Sequence, residues 1–213
     1  MAFLPRDFSN VRMDLTSSKV SGNFRLYTFN CRSVKRSLPE VQRLCDNHDM
    51  VVLQEHWLLP DELSLLSNIH TDVFAVGSSA VDVCDSLLVG RPYGGTAILY
   101  RKTLADSVCV VPCNDPRLSA VKLCTQHGPV LVLGVYMPTD YHDDDSVDRY
   151  METCGKINAV ITDCDVAETV IRPIGDFNCH TGSRLYNSFT NLLTANKLVC
   201  SDGRPNAEGC IYV

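Results

Sequence analysis

Short apolar runs rich in β-branched residues alternate with amphipathic segments along most of this 213-residue chain. Short apolar runs bounded by turn residues are typical of strands, and amphipathic segments are typical of helices that cover a sheet. Between 95 and 137 four runs follow one another with only turn residues between them, which favours antiparallel pairing. The pattern predicts an α/β (α+β) fold of mixed sheets covered by helices, in one domain.

The elements are placed by their periodicity and by the residues that bound them. We predict strands over seven segments, at 24–30, 50–54, 95–102, 106–112, 117–126, 129–137 and 168–176. Helices are predicted after a capping-box pattern at Ser37, after Asp145 or Ser146, and from Ser183. Residues 1–22 show no periodicity and are predicted to be a flexible lead-in.

Charge and cysteine usage narrow the classes of protein. The formal net charge is −6, and five acids lie between 140 and 148, so the remainder of the chain is close to neutral and does not strongly repel nucleic acid. No apolar run is long enough to span a bilayer, and the first residues lack a signal-peptide core. The eleven cysteines contain no Cys-x-x-Cys pair. These features predict reduced thiols in a nuclear or cytoplasmic protein that is not secreted and does not contact a membrane.

Polar residues stand at the ends of four predicted strands: Asn30, Glu55, Tyr136, and Asp176 with Asn178 close behind it. Strand ends lie side by side, so these groups are predicted to converge in one cleft. A carboxylate and amide oxygens suit a hard cation such as Mg²⁺, and a second carboxylate can orient a water molecule. Taken singly, each residue is also explained by a turn, a helix start or a core ring with its hydroxyl at the rim.

Five segments give these residues a family context: LYTFNCRS, VVLQEHWL, RPYGGTAILYRK, LGVYMPTD and IGDFN, in this order. They resemble the endonuclease/exonuclease/phosphatase superfamily over about residues 24–200, and are most similar to the endonuclease domain of non-LTR (LINE-type) retrotransposons. The resemblance implies a four-layered α/β sandwich, two mixed sheets flanked by helices. It also implies a phosphodiester hydrolase that nicks DNA with Mg²⁺ or Mn²⁺, and a reverse transcriptase domain in the parent protein.

The resemblance also implies a role for each strand-end residue. Glu55 ligates the metal with Asn30 at its side, and Tyr136 contacts the scissile phosphate. Asp176 positions or deprotonates the attacking water, and Asn178 stabilises the charged transition state. Such a hydrolysis depends on charge neutralisation and an in-line water rather than on a covalent nucleophile.

Basic residues follow the first of these strands, and we expect Arg32, Lys35 and Arg36 to line a phosphate path beside the cleft. Arg32 stands where some relatives carry an additional metal-site residue. His180 is expected to be a surface residue. For His56 and Trp57 two interpretations remain open, packing under the cleft or stacking on a base.

The Ser-Asp-His-type motif near the end of the family pattern has no counterpart that we can find in this sequence. We therefore expect the domain, 23–213, to lack its last strands and to hydrolyse its substrate weakly or undetectably. Two alternatives stay open: a phosphatase or phospholipid phosphodiesterase of the same superfamily, and a non-catalytic remnant.

Overall fold

A computed structural model describes residues 11–14, 23–81, 90–164 and 169–200. The strands are β1 (Val11–Asp14), β2 (Asn23–Asn30), β3 (Met50–Gln54), β4 (Val73–Ser78), β5 (Thr96–Arg101), β6 (Val108–Val111), β7 (Leu118–Thr125), β8 (Gly128–Tyr136) and β9 (Val170–Asp176). The α-helices are α1 (Leu38–Asn47), α2 (Asp144–Asp163) and α3 (Tyr186–Ala195). Two 3-10 helices cover Pro60–Asn68 and Lys102–Ser107.

The nine strands form two mixed sheets. The first has five strands in the order β1-β2-β3-β5-β4, in which β2 and β3 are parallel and the other neighbours are antiparallel. The second has four strands in the order β6-β7-β8-β9, in which only β8 and β9 are parallel. Each sheet therefore contains one parallel pair.

Alternation along the central strands decides which layer each side chain joins. Met50 and Val52 on β3 face the second sheet and pack with Val130 and Val132 of β8. Their neighbours Val51 and Leu53 face the opposite way, in the cluster that also holds the buried face of α1. On the second sheet, the outward-facing side chains of β7 and β8 pack with α2 and α3. The order of layers is helix, sheet, sheet, helix, and the predicted four-layered sandwich is confirmed.

The buried apolar runs explain why both faces of each sheet need a cover. All five residues of β3 are buried, and so are six of the nine residues of β8. A strand that is apolar on both faces belongs in the middle of a layered structure. Within the described residues, no helix is both long and apolar enough to cross a membrane. The cysteines in the described part of the chain are free thiols.

Several predicted boundaries need correction. The predicted lead-in over 1–22 is wrong for Val11–Asp14, which pair antiparallel with β2. The predicted strand over 106–112 is shorter, because the 3-10 helix occupies the chain up to Ser107. The sequence pattern also missed β4 and the 3-10 helix over Pro60–Asn68.

The start of the first helix is as predicted but its cap is not, and the other two predicted helix starts differ from the structure. Ser37 is the N-cap residue of α1, but its side chain makes no capping hydrogen bond to the helix. Its hydroxyl instead donates to the Cys31 carbonyl at 2.7 Å. Asp143, rather than Asp145 or Ser146, caps α2 and accepts a hydrogen bond from the Ser146 amide. Helix α3 starts at Tyr186, after a turn that begins at Ser183.

Candidate active site

The two parallel strand pairs carry the predicted site residues to the same edge of the sandwich. In the first sheet Asn30 pairs with Gln54, and Glu55 follows directly after β3. In the second sheet Tyr136 pairs with Asp176 at the ends of β8 and β9. Parallel strands end at the same edge of a sheet, so each pair presents two neighbouring positions there. The packing of the two sheets then brings the four positions together.

Asn30 joins the two sheets at this edge. Its Nδ2 donates to Glu55 Oε1 at 2.8 Å and to Asp176 Oδ2 at 2.9 Å. The three side chains are all partly buried. Two carboxylates from different sheets are thus held against one amide group, in surroundings where hydrogen bonds to charged groups are strong.

Glu55 and Trp57 stand on a strained turn after β3. Their φ angles are both 56°, in the left-handed region that non-glycine residues adopt at a cost of roughly 1–3 kcal/mol each. The pairing of β2 with β3 continues past both strands, since the Ser33 amide donates to the Glu55 carbonyl at 2.8 Å. Trp57 Nε1 donates to Glu55 Oε2 at 3.1 Å. Both oxygens of Glu55 are therefore hydrogen-bonded, and its carboxylate has a fixed orientation.

Gly175 places Asp176 close to β8. Its φ is 153°, and a Cβ at this position would lie 1.9 Å from the Val135 carbonyl oxygen. Only glycine fits between the two strands here. The Met137 amide donates to the Asp176 carbonyl at 2.8 Å, so the strand pairing continues to the edge and fixes the backbone of Asp176.

Asn178 completes the exit of β9. Its backbone amide donates to Asp176 Oδ1 at 3.1 Å, and its φ of 44° bends the chain there. Its side-chain Nδ2 donates to the Met137 carbonyl at 2.7 Å. One hydrogen of the Asn178 side-chain amide is therefore bonded to the backbone, and this contact fixes the orientation of the amide.

Tyr136 brings a phenol next to the two carboxylates. Burial is the largest cause that raises its pKa above the usual range, and the charges of Glu55 and Asp176 and a hydrogen bond to Glu55 add to it. The Arg117 guanidinium lies 5.3 Å from the centre of the ring and opposes the shift. The hydroxyl keeps its proton at all physiological pH values and is a hydrogen-bond donor.

The residues present fit a divalent cation. Asn30 Oδ1 is buried, and no described residue provides it with a hydrogen-bond partner. Within the described residues no group of three histidine, cysteine, aspartate or glutamate side chains converges, so the site has two carboxylates and one amide. Mg²⁺ typically takes one or two protein carboxylates and keeps several waters, so this small set of oxygen ligands is sufficient for Mg²⁺ or Mn²⁺.

The predicted phosphate path is less well formed than the cleft. Arg32, Lys35 and Arg36 are exposed, and Lys35 forms an ion pair with Glu62. Arg32 has a φ of 42°, so the chain turns sharply directly after Cys31. His180 is exposed, as expected.

The structure separates the two interpretations of His56 and Trp57. The His56 side chain is fully buried beneath the edge, whereas Trp57 is half-buried beside Glu55. Sequence reasoning did not identify the contact from Trp57 to Glu55, nor that from Arg117 to Tyr136. A tryptophan two residues after a strand-end acid was the one available signal, while Arg117 lies in the turn before β7, in a segment without a motif.

Solved structures share this architecture. The 3′ phosphatase NExo from Neisseria bound to a product DNA hairpin is 18% identical, with a TM-score of 0.63 over 87% of this chain and 84% of that one. The endonuclease domain of TRAS1, a telomere-specific non-LTR retrotransposon, is 10% identical, with a TM-score of 0.62 over 89% and 83%. An AP endonuclease from Archaeoglobus fulgidus is 14% identical, with a TM-score of 0.58 over 89% and 85%.

At these identities the structural similarity establishes the fold. No curated protein matches the chain significantly in sequence. The family comparison is more specific, because the Endonuclease/Exonuclease/phosphatase family matches residues 27–208, which include all five residues at the edge. On this match and on the shared sandwich, the chain belongs to the endonuclease/exonuclease/phosphatase family.

Proposed function

We propose that this chain is a divalent-metal-dependent phosphodiesterase that nicks DNA, similar to the endonuclease domain of a non-LTR retrotransposon. The observation that carries the proposal is the hydrogen-bonded group of Asn30, Glu55 and Asp176, with Tyr136 and Asn178 at the same edge. Two carboxylates, two amides and a protonated phenol provide the acceptor, metal-binding and donor groups that phosphodiester hydrolysis requires.

Glu55 and the Asn30 amide would hold a Mg²⁺ or Mn²⁺ ion, which when bound neutralises charge on the phosphodiester. Asp176 is oriented by hydrogen bonds to both of its carboxylate oxygens. In that orientation it accepts a proton from the attacking water as the new oxygen–phosphorus bond forms. The bond to the leaving oxygen breaks, and that oxygen takes up a proton from solvent.

Tyr136 and Asn178 act on the phosphate oxygens. The raised pKa of Tyr136 keeps its hydroxyl protonated. When the substrate binds, its single hydrogen would turn from Glu55 to a phosphate oxygen. Asn178 has one amide hydrogen fixed on the Met137 carbonyl, which leaves the other for an oxygen of the transition state. Donors aimed in advance at developing negative charge are worth about 10²–10³ in rate each.

Nicking of supercoiled plasmid under single-turnover conditions, with protein in excess, tests the proposal. We expect slow conversion to the open circle with Mg²⁺ or Mn²⁺ and none with EDTA. Glu55→Gln and Asp176→Asn are each expected to lower the rate about a hundredfold or more. Glu152→Gln is the matched control, because Glu152 is exposed on α2 and pairs only with Lys156 among the described ion pairs. Nicking that both site variants retain refutes the assignment, and a folded protein that never nicks refutes the activity.

A second candidate function is removal of a terminal 3′ phosphate from DNA. It is supported by the similarity to NExo, which is a 3′ phosphatase bound to a product DNA hairpin. The same residues suit a phosphate monoester, since both reactions use water as the nucleophile. Phosphate release from a 3′-phosphorylated oligonucleotide without plasmid nicking favours this candidate.

A further inference from the structure

Two aromatic rings stand at the rim of the candidate active site. The Trp57 and Tyr93 rings are 4.8 Å apart between centroids and meet at 80°, in an edge-to-face contact. Tyr93 is 60% exposed, so much of its side chain is open to solvent. The Trp57 ring is also fixed by its Nε1–H bond to Glu55. The pair, called here the aromatic corner, is thus attached directly to a proposed metal ligand.

A buried histidine holds the aromatic corner in place. His56 Nδ1 accepts from the Leu58 amide at 3.0 Å, so its Nε2 carries the hydrogen and donates to the Ser78 carbonyl at 3.0 Å. Burial lowers the pKa of His56, which keeps it in this neutral form. The imidazole lies against Gly95, where a Cβ would come within 2.5 Å of the ring.

The same turn ties the two aromatic segments together. The Trp57 amide donates to the Gly94 carbonyl at 3.1 Å, directly after Tyr93 in the chain. Both rings are therefore carried by backbone that is fixed to the sheet edge. A preorganised aromatic surface loses little side-chain entropy when a ligand binds to it.

We propose that the aromatic corner binds an unstacked nucleobase next to the scissile phosphate, and that the substrate is DNA with an unpaired nucleotide at that position. This proposal rests on the proposed DNA-directed function. Two rings at nearly a right angle accept one flat ring, which stacks on one of them and meets the edge of the other. Bases inside an intact duplex have both faces covered by their neighbours, whereas a single-stranded or extruded base offers a free face.

The position of Trp57 makes the inference specific to the reaction. Because its indole nitrogen is 3.1 Å from Glu55 Oε2, a base on this corner lies beside the group that would hold the metal. Base–aromatic stacking strengthens binding by about tenfold to a hundredfold per base. The corner thus selects for a base that is unstacked at the cleavage position and not for a particular base, since every base has a face that can stack.

Binding of oligonucleotides to the full chain in EDTA tests the proposal without turnover. Trp57 is the only tryptophan, so its fluorescence reports on the corner, while the anisotropy of labelled DNA reports on binding independently. We use a single-stranded oligonucleotide, its duplex, and a sugar-phosphate strand of the same length without bases. Only the single strand is expected to quench Trp57 strongly at saturation.

Variants of Tyr93 separate stacking from backbone binding. Tyr93→Ala is expected to weaken single-strand binding about tenfold and to leave the base-free strand unchanged, whereas Tyr93→Phe retains the affinity. Phe74→Ala is the matched control, because Phe74 is also an exposed ring but lies at the opposite end of the first sheet, beside Lys102.

The other outcomes distinguish a failure of the aromatic corner from a failure of the proposed nuclease function. The corner is refuted, and the proposed nuclease function left intact, by either of two results. One is that Tyr93→Ala weakens binding of the single strand and of the base-free strand equally; the other is that the single strand binds without quenching Trp57. Binding to vesicles that contain inositol phospholipid, with no binding to any DNA, refutes both proposals. A chain that binds the single strand through Tyr93 but never nicks DNA refutes the nuclease function and keeps the corner.

Discussion

Replacing Asn30 with aspartate should convert the candidate metal site into a point of charge repulsion. In the structure the Asn30 amide donates to both carboxylates, with nitrogen–oxygen distances of 2.8 and 2.9 Å. Asn30→Asp has almost the same shape but no hydrogen to donate. The change therefore removes two hydrogen bonds and places a third carboxylate against Glu55 and Asp176.

The size of the effect follows from those contacts. A hydrogen bond to a charged group contributes about 1.5–3 kcal/mol, and unit charges 4 Å apart repel by about 4 kcal/mol at an effective dielectric constant of 20. The carboxylates are only partly buried, so water recovers part of both terms. We expect a loss of about 3 kcal/mol, which lowers the melting temperature by about 6–12 °C for a domain of this size.

Melting in EDTA and in millimolar Mg²⁺ measures the effect. The variant should melt well below the wild type in EDTA. Mg²⁺ should stabilise both proteins, by about 2.7 kcal/mol at a hundred times the Kd, and should narrow the difference because the third carboxylate of the variant binds the cation more tightly. Asn68→Asp, at an exposed position on the 3-10 helix, is the control and should change little. If the variant and the wild type melt within about 2 °C of each other in EDTA, the hydrogen-bonded group does not form as described. A difference that Mg²⁺ leaves unchanged refutes the metal site.

Three further predictions follow from the same edge. Mn²⁺, which is paramagnetic, should quench the fluorescence of Trp57 saturably because the indole contacts Glu55, and Glu55→Gln should leave only weak, linear quenching. Gly175→Ala should lower the free energy of unfolding, measured by urea titration, by more than about 4 kcal/mol, because the added Cβ would meet the Val135 carbonyl. The control is Gly155→Ala, in open space on α2, which should be neutral or stabilising by about 0.5–1 kcal/mol. Stability should fall as the pH rises above about 10, because Tyr136 ionises in the unfolded chain while its raised pKa keeps it neutral in the folded one. Tyr136→Phe should reduce this alkaline loss of stability, measured as the urea midpoint at each pH. If the midpoints of the variant fall with pH as steeply as those of the wild type, the phenol is not buried as described.

The sequence pattern predicted mixed sheets covered by helices and selected the residues that converge, while the four-layered sandwich was implied by the family resemblance. The selection succeeded because Asn30, Glu55 and Asp176 each follow a buried apolar strand, and strands of a parallel pair end together whatever their partners are. The rule needs only the ends of the strands and not their detailed packing. The chemical roles of these residues stay predictions until the variants are measured.

Local competition explains most of what the sequence did not predict. Ser37 fits the capping-box pattern, but the turn after β2 brings the Cys31 carbonyl within reach of its side chain. The Ser37 hydroxyl therefore donates to that carbonyl and not to the helix. Strand β1 has only four residues, Val11–Asp14, so its alternation is too short to stand out in the sequence, and the strand is defined by its pairing with β2. Trp57 and Tyr93 are 36 positions apart, and their contact depends on the turn that His56 supports.

The site and the stability of the fold are coupled through the interface between the sheets. Glu55 comes from the first sheet and Asp176 from the second, so their carboxylates approach only when the sandwich is assembled. The Asn30 amide offsets their repulsion by donating hydrogen bonds to both carboxylates. Asn30 and Asp176 are 146 positions apart in the sequence. Glu55 and Trp57 add left-handed backbone on the same turn, which a fold selected for stability alone would avoid. A divalent cation relieves the repulsion between the carboxylates, so the protein should gain stability from the same ion that its proposed chemistry needs.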